Sequence, residues 1–428
     1  MLVAQQPGPT IAIRAGTLID GTGAAPVRGA VILVQDGRIT AVGPRVGVPP
    51  GATVIDLSRA TVLPGFVDAH VHLTGRTIGD GDWQHARVTE SPSVHALHGA
   101  LHAWQTLEAG FTTVRNLGAA AFTDLALRDA VNRGWVPGPR ILGAGTSFGI
   151  NGGHCDGSAG YWPGAFLQGR IEDGAADGVE EVREAVRYNV KYGADVIKIC
   201  ATGGVLSPGD SVGVQQYTEE EMRAVVEAAR MTERVVAAHA HGTAVINAAV
   251  RAGVTSIEHG SLLDEEAVRL MRERGTWLVP TLMAGESVER MARAGRLPAV
   301  IADKALQIAP RMQASFRMAV EGGVRIALGT DAGVFPHGTN GHEFTLMVRY
   351  GMTPMQAIQA GTLAAATLLG LERQIGTVTV GKRADLVAVQ GDPLENIELL
   401  ERVDFVIKDG VVFKRDGQVV GSSAAGVN

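Results

Sequence analysis

Along the chain, apolar and polar positions alternate in short runs near both ends, while the middle repeats longer apolar runs separated by helical patterns. Residues 12–19, 30–35 and 39–42 carry the period-two alternation of strands and are divided by the turn residues Asp20-Gly21-Thr22-Gly23 and Asp36-Gly37. Residues 384–390, 405–408 and 411–414 repeat the pattern, with turns at Gly391-Asp392-Pro393 and Asp409-Gly410. Two β-rich ends around one long middle predict a small β-sandwich domain assembled from residues 1–65 and 374–428.

The middle alternates β-like runs with helical stretches, the signature of parallel βαβ units. Eight candidate strands fall at residues 62–71, 112–117, 140–146, 196–201, 234–241, 255–259, 277–281 and 325–330. Helical patterns such as 179–192, 218–232 and 264–274 lie between them. Eight βα units predict an α/β fold, a (β/α)8 TIM barrel over residues 66–373, whose active site would sit at the C-terminal ends of the strands.

The polar residues at those strand ends carry the candidate chemistry. The first strand ends in His70-Val71-His72, and alternation places both imidazoles on the interior face. Two buried imidazoles need partners, and a metal ion supplies one. In the fourth strand Ile197 and Ile199 face the helices, so Lys198 points inward. There it either bridges to a carboxylate or, as a neutral amine, captures CO2 to become a carbamate. The fifth strand ends in Ala238-His239-Ala240-His241-Gly242, the sixth in Ile257-Glu258-His259-Gly260, and the eighth in Gly329-Thr330-Asp331.

Together with Gly37-Arg38-Ile39, the run Leu63-Pro64-Gly65-Phe66-Val67-Asp68-Ala69-His70-Val71-His72 and the stretch Gly376-Thr377-Val378-Thr379-Val380-Gly381-Lys382-Arg383-Ala384-Asp385-Leu386, these motifs resemble the amidohydrolase superfamily over nearly the whole chain. The pattern is similar to its binuclear, carboxylated-lysine group, which includes Xaa-Pro dipeptidases and ochratoxin-hydrolysing amidohydrolases. The resemblance implies His70 and His72 as ligands of one metal, His239 and His259 as ligands of a second, and Lys198 as a bridging carbamate. It implies Asp331 both as a ligand of the first metal and as the catalytic group that takes and returns the proton of the attacking water. Two divalent ions are expected, zinc ahead of manganese, iron or cobalt, and they make hydroxide available at neutral pH.

Around this set, His241 is left for substrate. His154, in the glycine-rich loop Gly149-Ile150-Asn151-Gly152-Gly153-His154-Cys155, is a candidate donor to a substrate carbonyl or carboxylate. The segment Thr202-Gly203-Gly204-Val205-Leu206-Ser207 resembles the substrate loop of the dipeptidase group. Tyr217 is a weaker substrate candidate, since a Thr218–Glu221 capping box explains its region without function. His85, His95, His98 and His102 lack strand-end placement and read as helix surface or interface residues. Cys200 reads as a small packing residue beside Lys198.

The expected reaction is hydrolysis of N-acyl amino acids or dipeptides with a hydrophobic, aromatic or prolyl C-terminal residue, ochratoxin-type amides included. A deaminase of the same fold typically uses one metal and lacks the strand-four lysine. A non-catalytic scaffold would have lost ligands, and all six are present. Composition agrees: 428 residues, 46% hydrophobic and 19% charged, make a compact globular chain, and a net charge of −6 without a basic run argues against a nucleic-acid partner. No run of 18 apolar residues suggests a membrane span. Two cysteines are too few for a disulfide framework. Residues 1–6 are too short for a signal peptide and could be the stub of one. Localisation stays open, the cytoplasm slightly ahead of a secreted or periplasmic destination. The expected partner is a small-molecule or dipeptide substrate, and a homo-oligomer is expected, an octamer among the candidate sizes.

Overall fold

The computed structural model describes residues 8–81, 83–162, 170–207 and 209–420. Eight central strands appear in the predicted order: β1 (Phe66–Val71), β2 (Phe111–Asn116), β3 (Arg140–Gly143), β4 (Ile197–Cys200), β5 (Val236–Ala240), β6 (Ser256–His259), β7 (Trp277–Val279) and β8 (Arg325–Ile326). Among the described residues they pair in parallel as β1-β2-β3 and as β4-β5-β6-β7-β8. Isolated parallel bridges join the two sheets at both seams, Phe148 to Ile199 and Val71 to Ala332. The result is a TIM-barrel-like ring. Five of its strands, β1, β2, β4, β5 and β6, are buried on both faces, which is why they read as near-continuous apolar runs.

The helices between the strands follow their local signals. Glu219–Met231 starts at the predicted capping box: Thr218 Oγ1 accepts from Glu221 N–H at 3.2 Å, and Thr218 N–H donates to Glu221 Oε2 at 2.8 Å. Asp264 Oδ1 accepts from Ala267 N–H at 2.7 Å and caps Glu265–Arg274. No helix among the described residues is long and apolar enough to cross a membrane.

The chain ends build one separate sheet where a β-sandwich was expected. Ile11–Leu18, Val27–Arg28, Val31–Gln35, Arg38–Gly43 and Thr53–Pro64 join Leu386–Gln390, Phe405–Lys408, Val411–Arg415 and Gln418–Val419 in one hydrogen-bonded sheet. Its buried face holds a second core of Ile13, Ile32, Ile55, Val62, Leu386 and Ile407. The expected first barrel strand, residues 62–71, is therefore two strands. The chain crosses from sheet to barrel at Gly65, where any side chain would collide with Thr112. Arg140 clamps the two parts, donating to Asp385 Oδ2 and to Asp409 Oδ1, each at 2.9 Å.

Candidate metal centre

The predicted strand-end residues converge in one cleft of about 360 Å³, lined by His70, His72, Lys198, His239, His259 and Asp331. His70 and His72 project from the end of β1 on the same side, as alternation required, with ring centroids 5.4 Å apart. Asp331 follows β8 with a left-handed backbone (φ 61°), and its N–H donates to His70 O at 2.7 Å. That pins the carboxylate against both rings: Asp331 Oδ1 lies 3.4 Å from His70 Nε2 and 3.3 Å from His72 Nε2. These three residues form a potential metal-binding group, their ligand atoms all within 4.8 Å of one another.

His239 from β5 and His259 from β6 sit beside this trio. The His239 and His259 rings are 4.7 Å apart, and His259 is 5.2 Å from His70. His259 also has a left-handed backbone (φ 69°). In a regular strand Glu258 and His259 would face opposite ways, and this conformation lets both reach the site. Such a conformation in a non-glycine residue costs of order 1–3 kcal/mol and persists where the surroundings enforce it.

The hydrogen bonds leave metal-facing nitrogens available. His70 Nδ1–H donates to Glu258 Oε2 at 2.8 Å and His72 Nδ1–H to Gly118 O at 3.2 Å, so each Nε2 keeps its lone pair. His259 Nδ1 bonds Thr281 Oγ1 at 2.8 Å. His239 Nε2 is buried with no hydrogen-bond partner among the described residues. A buried nitrogen left over beside other imidazoles fits the chemistry of a metal ligand.

Burial shapes the protonation of the group. It lowers His70 to about 4, with Lys198 adding to the effect, and takes His239 and His259 well below their ordinary value. Burial also brings Lys198 down to about 8, against the pull of Glu258 and Asp331. It would raise Asp331, but His70, His72 and Lys198 hold that carboxyl below its usual range. The site is thus a set of neutral imidazoles around an ionised aspartate and a lysine whose neutral form is accessible.

The remaining expectations divide. His154 lines the cleft, its ring stacked on His239 at 4.3 Å. His241 lines it too, with Nδ1 bonded to Ser261 Oγ at 2.7 Å. Tyr217 does not reach the cleft. It is fully buried and its hydroxyl donates to Ala176 O at 2.8 Å, so it is a core residue and not a substrate contact. Cys200 does more than pack: it forms a disulfide with Cys155, tying the His154 loop to the end of β4 across a Cα–Cα distance of 5.7 Å. His102 is not at the surface either; it is buried, donates to Leu73 O at 2.8 Å and stacks on His337 at 4.4 Å.

Two residues that orient the site carry no role in the sequence reading. Glu258 is fully buried between His70 and Arg115, whose Nη2 donates to Glu258 Oε1 at 2.9 Å. Burial alone would raise Glu258, but Arg115 and the His70 ring pull it down to about 2. Asp68 ties β1 to the strand-eight loop, accepting from His70 N–H at 3.1 Å, Thr330 Oγ1 at 2.7 Å and Asn340 Nδ2 at 2.9 Å. Both stand inside the quoted motifs, Glu258 one residue before His259 and Asp68 two residues before His70, but only the distant partners reveal what they do.

A TIM-barrel-like ring with a potential metal-binding His-His-Asp group at its strand ends defines an α/β protein whose candidate chemistry lies where such folds carry their active sites. The model of the amidohydrolase family matches residues 61–413, and the chain belongs to that family. It is an enzyme that hydrolyses amide or peptide bonds. An ochratoxinase of Aspergillus niger is 34% identical over 429 residues, covering 95% of this chain and 87% of the relative. A crystal structure of a Xaa-Pro dipeptidase with methionine bound in its active site superposes with a TM-score of 0.91 at 41% identity, covering 95% of this chain and all of the other. A prolidase complexed with N-methylphosphonate-L-proline gives a TM-score of 0.87 at 33% identity, with coverage of 95% and 100%.

Proposed function

We propose that the protein is a binuclear metal-dependent amidohydrolase on a (β/α)8 barrel. Its substrates would be N-acyl amino acids or dipeptides with a hydrophobic, aromatic or prolyl C-terminal residue, amides of the ochratoxin type included. The observation that carries this reading is geometric: His70, His72 and Asp331 bring their ligand atoms within 4.8 Å of one another, and Lys198, His239 and His259 line the same cleft. His70, His72 and Asp331 would hold one divalent ion, and His239 and His259 a second. Lys198, carboxylated by CO2, would offer an oxygen to each. Zinc suits this mixed nitrogen and oxygen set, with manganese, iron and cobalt as alternatives.

Bound there, the ions would acidify a water and polarise the scissile carbonyl. The chain's own groups do the rest. Asp331, ionised at neutral pH, takes the proton from the attacking water and returns it to the leaving nitrogen. The lowered Lys198 supplies the neutral amine that CO2 requires. His154 and His241 face the substrate, and Val205, Leu206, Val288, Ile308 and Met312 give the cleft an apolar wall suited to a hydrophobic side chain. The names of the ochratoxinase and the two dipeptidases support the same substrate class.

The test is a panel of N-acyl amino acids, Xaa-Pro dipeptides and an ochratoxin-type amide, run beside elemental analysis of chelator-free protein. About two equivalents of metal and hydrolysis within the panel are expected. Full activity at one equivalent would sink the binuclear reading, and a fully loaded protein inert on the whole panel would sink the substrate class. Lys198→Ala should lose activity, with partial recovery in short-chain carboxylic acids.

A further inference from the structure

His154 is held by residues that the chemistry above does not use. Its Nδ1 lies 3.0 Å from Ser207 Oγ, and its backbone N–H donates to Gln216 Oε1 at 3.0 Å. Both contacts lead to Asp210. Ser207 Oγ is 2.6 Å from Asp210 Oδ1, and Gln216 Nε2 donates to Asp210 Oδ2 at 2.9 Å. Lys304 anchors that carboxylate at 3.0 Å and spends its other donors on the carbonyls of Gly204 at 3.1 Å and Ser207 at 2.7 Å. Gly204 lets the ring lie against the loop, because a side chain there would collide with the His154 imidazole.

The direction of these bonds can be worked out from valence. Ser207 has one hydroxyl proton and three acceptors within reach: Asp210 Oδ1 at 2.6 Å, His154 Nδ1 at 3.0 Å and Gly204 O at 3.3 Å. The carboxylate is both the nearest and the charged acceptor, so it takes the proton. Gly204 N–H donates to the hydroxyl oxygen at 3.3 Å. The remaining lone pair then needs a donor from His154 Nδ1. A neutral imidazole has a single N–H, so Nε2 carries a lone pair, and Nε2 bonds no described residue. The Gln216 amide is oriented by the same carboxylate.

We propose that Asp210 is the positioning residue of this site. Acting through Ser207 on the ring and through Gln216 on the backbone, it fixes His154 as the Nδ1–H tautomer, stacked on His239, with Nε2 presented to the cleft as an acceptor. The inference rests on the reading of the cleft as the catalytic site, and it concerns only how this chain holds His154.

The test uses full-length, zinc-loaded protein labelled with 15N-histidine, the His154 signals being identified by their loss in His154→Asn. Wild-type protein is expected to show a pyrrole-type nitrogen at Nδ1 and a pyridine-type nitrogen at Nε2. Asp210→Asn and Ser207→Ala should both move that balance toward Nε2–H. On a substrate from the panel, both should lower kcat by about tenfold or more, as loss of an orienting partner commonly does, with KM little changed. The double variant should be no worse than Asp210→Asn alone, since Ser207 acts on the ring only as a link in the chain of bonds that starts at Asp210. Ser207→Ala leaves the Lys304–Asp210 pair and Gln216 in place, so it separates orientation of the ring from folding of the loop. An Nε2–H tautomer in the wild-type protein overturns the proposal. So does Ser207→Ala with wild-type tautomer and turnover beside an impaired Asp210→Asn, for then Asp210 acts only by folding the loop. The spectra need no substrate, so wild-type inactivity on the panel would count against the hydrolase reading and leave this one to be judged separately.

Discussion

Replacing Glu258 by Gln keeps the shape of a fully buried side chain and removes its charge, and the structure sets what that should cost. Glu258 Oε1 accepts from Arg115 Nη2 at 2.9 Å and from Ser256 Oγ, while Oε2 accepts from His70 Nδ1–H at 2.8 Å. A glutamine has one acceptor and one donor end. If its oxygen stays with Arg115, its NH2 faces His70 Nδ1 and drives the imidazole proton to Nε2, the atom that points at Asp331 and the metal position. If its oxygen turns to His70, the NH2 opposes a buried guanidinium, an arrangement that costs about 3–5 kcal/mol. The first orientation wins. Its cost can be gauged from the carboxyl's fall from 4.5 to about 2, which corresponds to roughly 3 kcal/mol of lost stability when the charge is removed. Metal affinity should fall about 10–100-fold, the usual effect of losing a partner that orients a ligating histidine. Denaturant unfolding of the metal-free variant measures the first effect without a bound-ion contribution, and competition against a chelator measures the second. A stable Glu258→Gln protein with wild-type metal affinity would refute the claim that this carboxylate orients His70.

Three further outcomes follow from particular contacts. Asp331→Asn keeps the size of the side chain and removes the base, so kcat should fall about 10²–10⁴-fold while metal content falls less, as steady-state kinetics with elemental analysis would show. Tyr217→Phe should leave KM unchanged and lower unfolding stability by about 1 kcal/mol, because it removes only a buried bond to Ala176 O; a marked rise in KM would return Tyr217 to the substrate site. Glu258 is depressed in the folded state, so its contribution to stability is fully present above its ordinary value of 4.5 and is lost as pH falls toward about 2. An acid titration of unfolding should therefore show a loss in that window that Glu258→Gln lacks.

The sequence by itself determined the strand order, the terminal sheet and the interior placement of the strand-end histidines, because these depend on local rules; which of them serve as donors came only from the family resemblance. Period-two alternation is a property of the strand backbone, so His70 with His72, and His239 with His241, could be assigned to the interior without knowing any neighbour. The Thr218–Glu221 cap is likewise confined to one turn of helix. Everything that depended on residues far apart in the chain was decided by the tertiary structure. Glu258 owes its role to Arg115, 143 positions away, and to His70, 188 away. His259 reaches the site only because its backbone turns left-handed, which alternation cannot foresee. Tyr217 looked available beside a helix start, yet packing sealed it beneath Ala176, and the two cysteines, 45 residues apart, met only once the loop after β3 folded over β4. Local pattern carries which face a side chain takes; which atom it meets there depends on chain segments that come together only when the barrel closes.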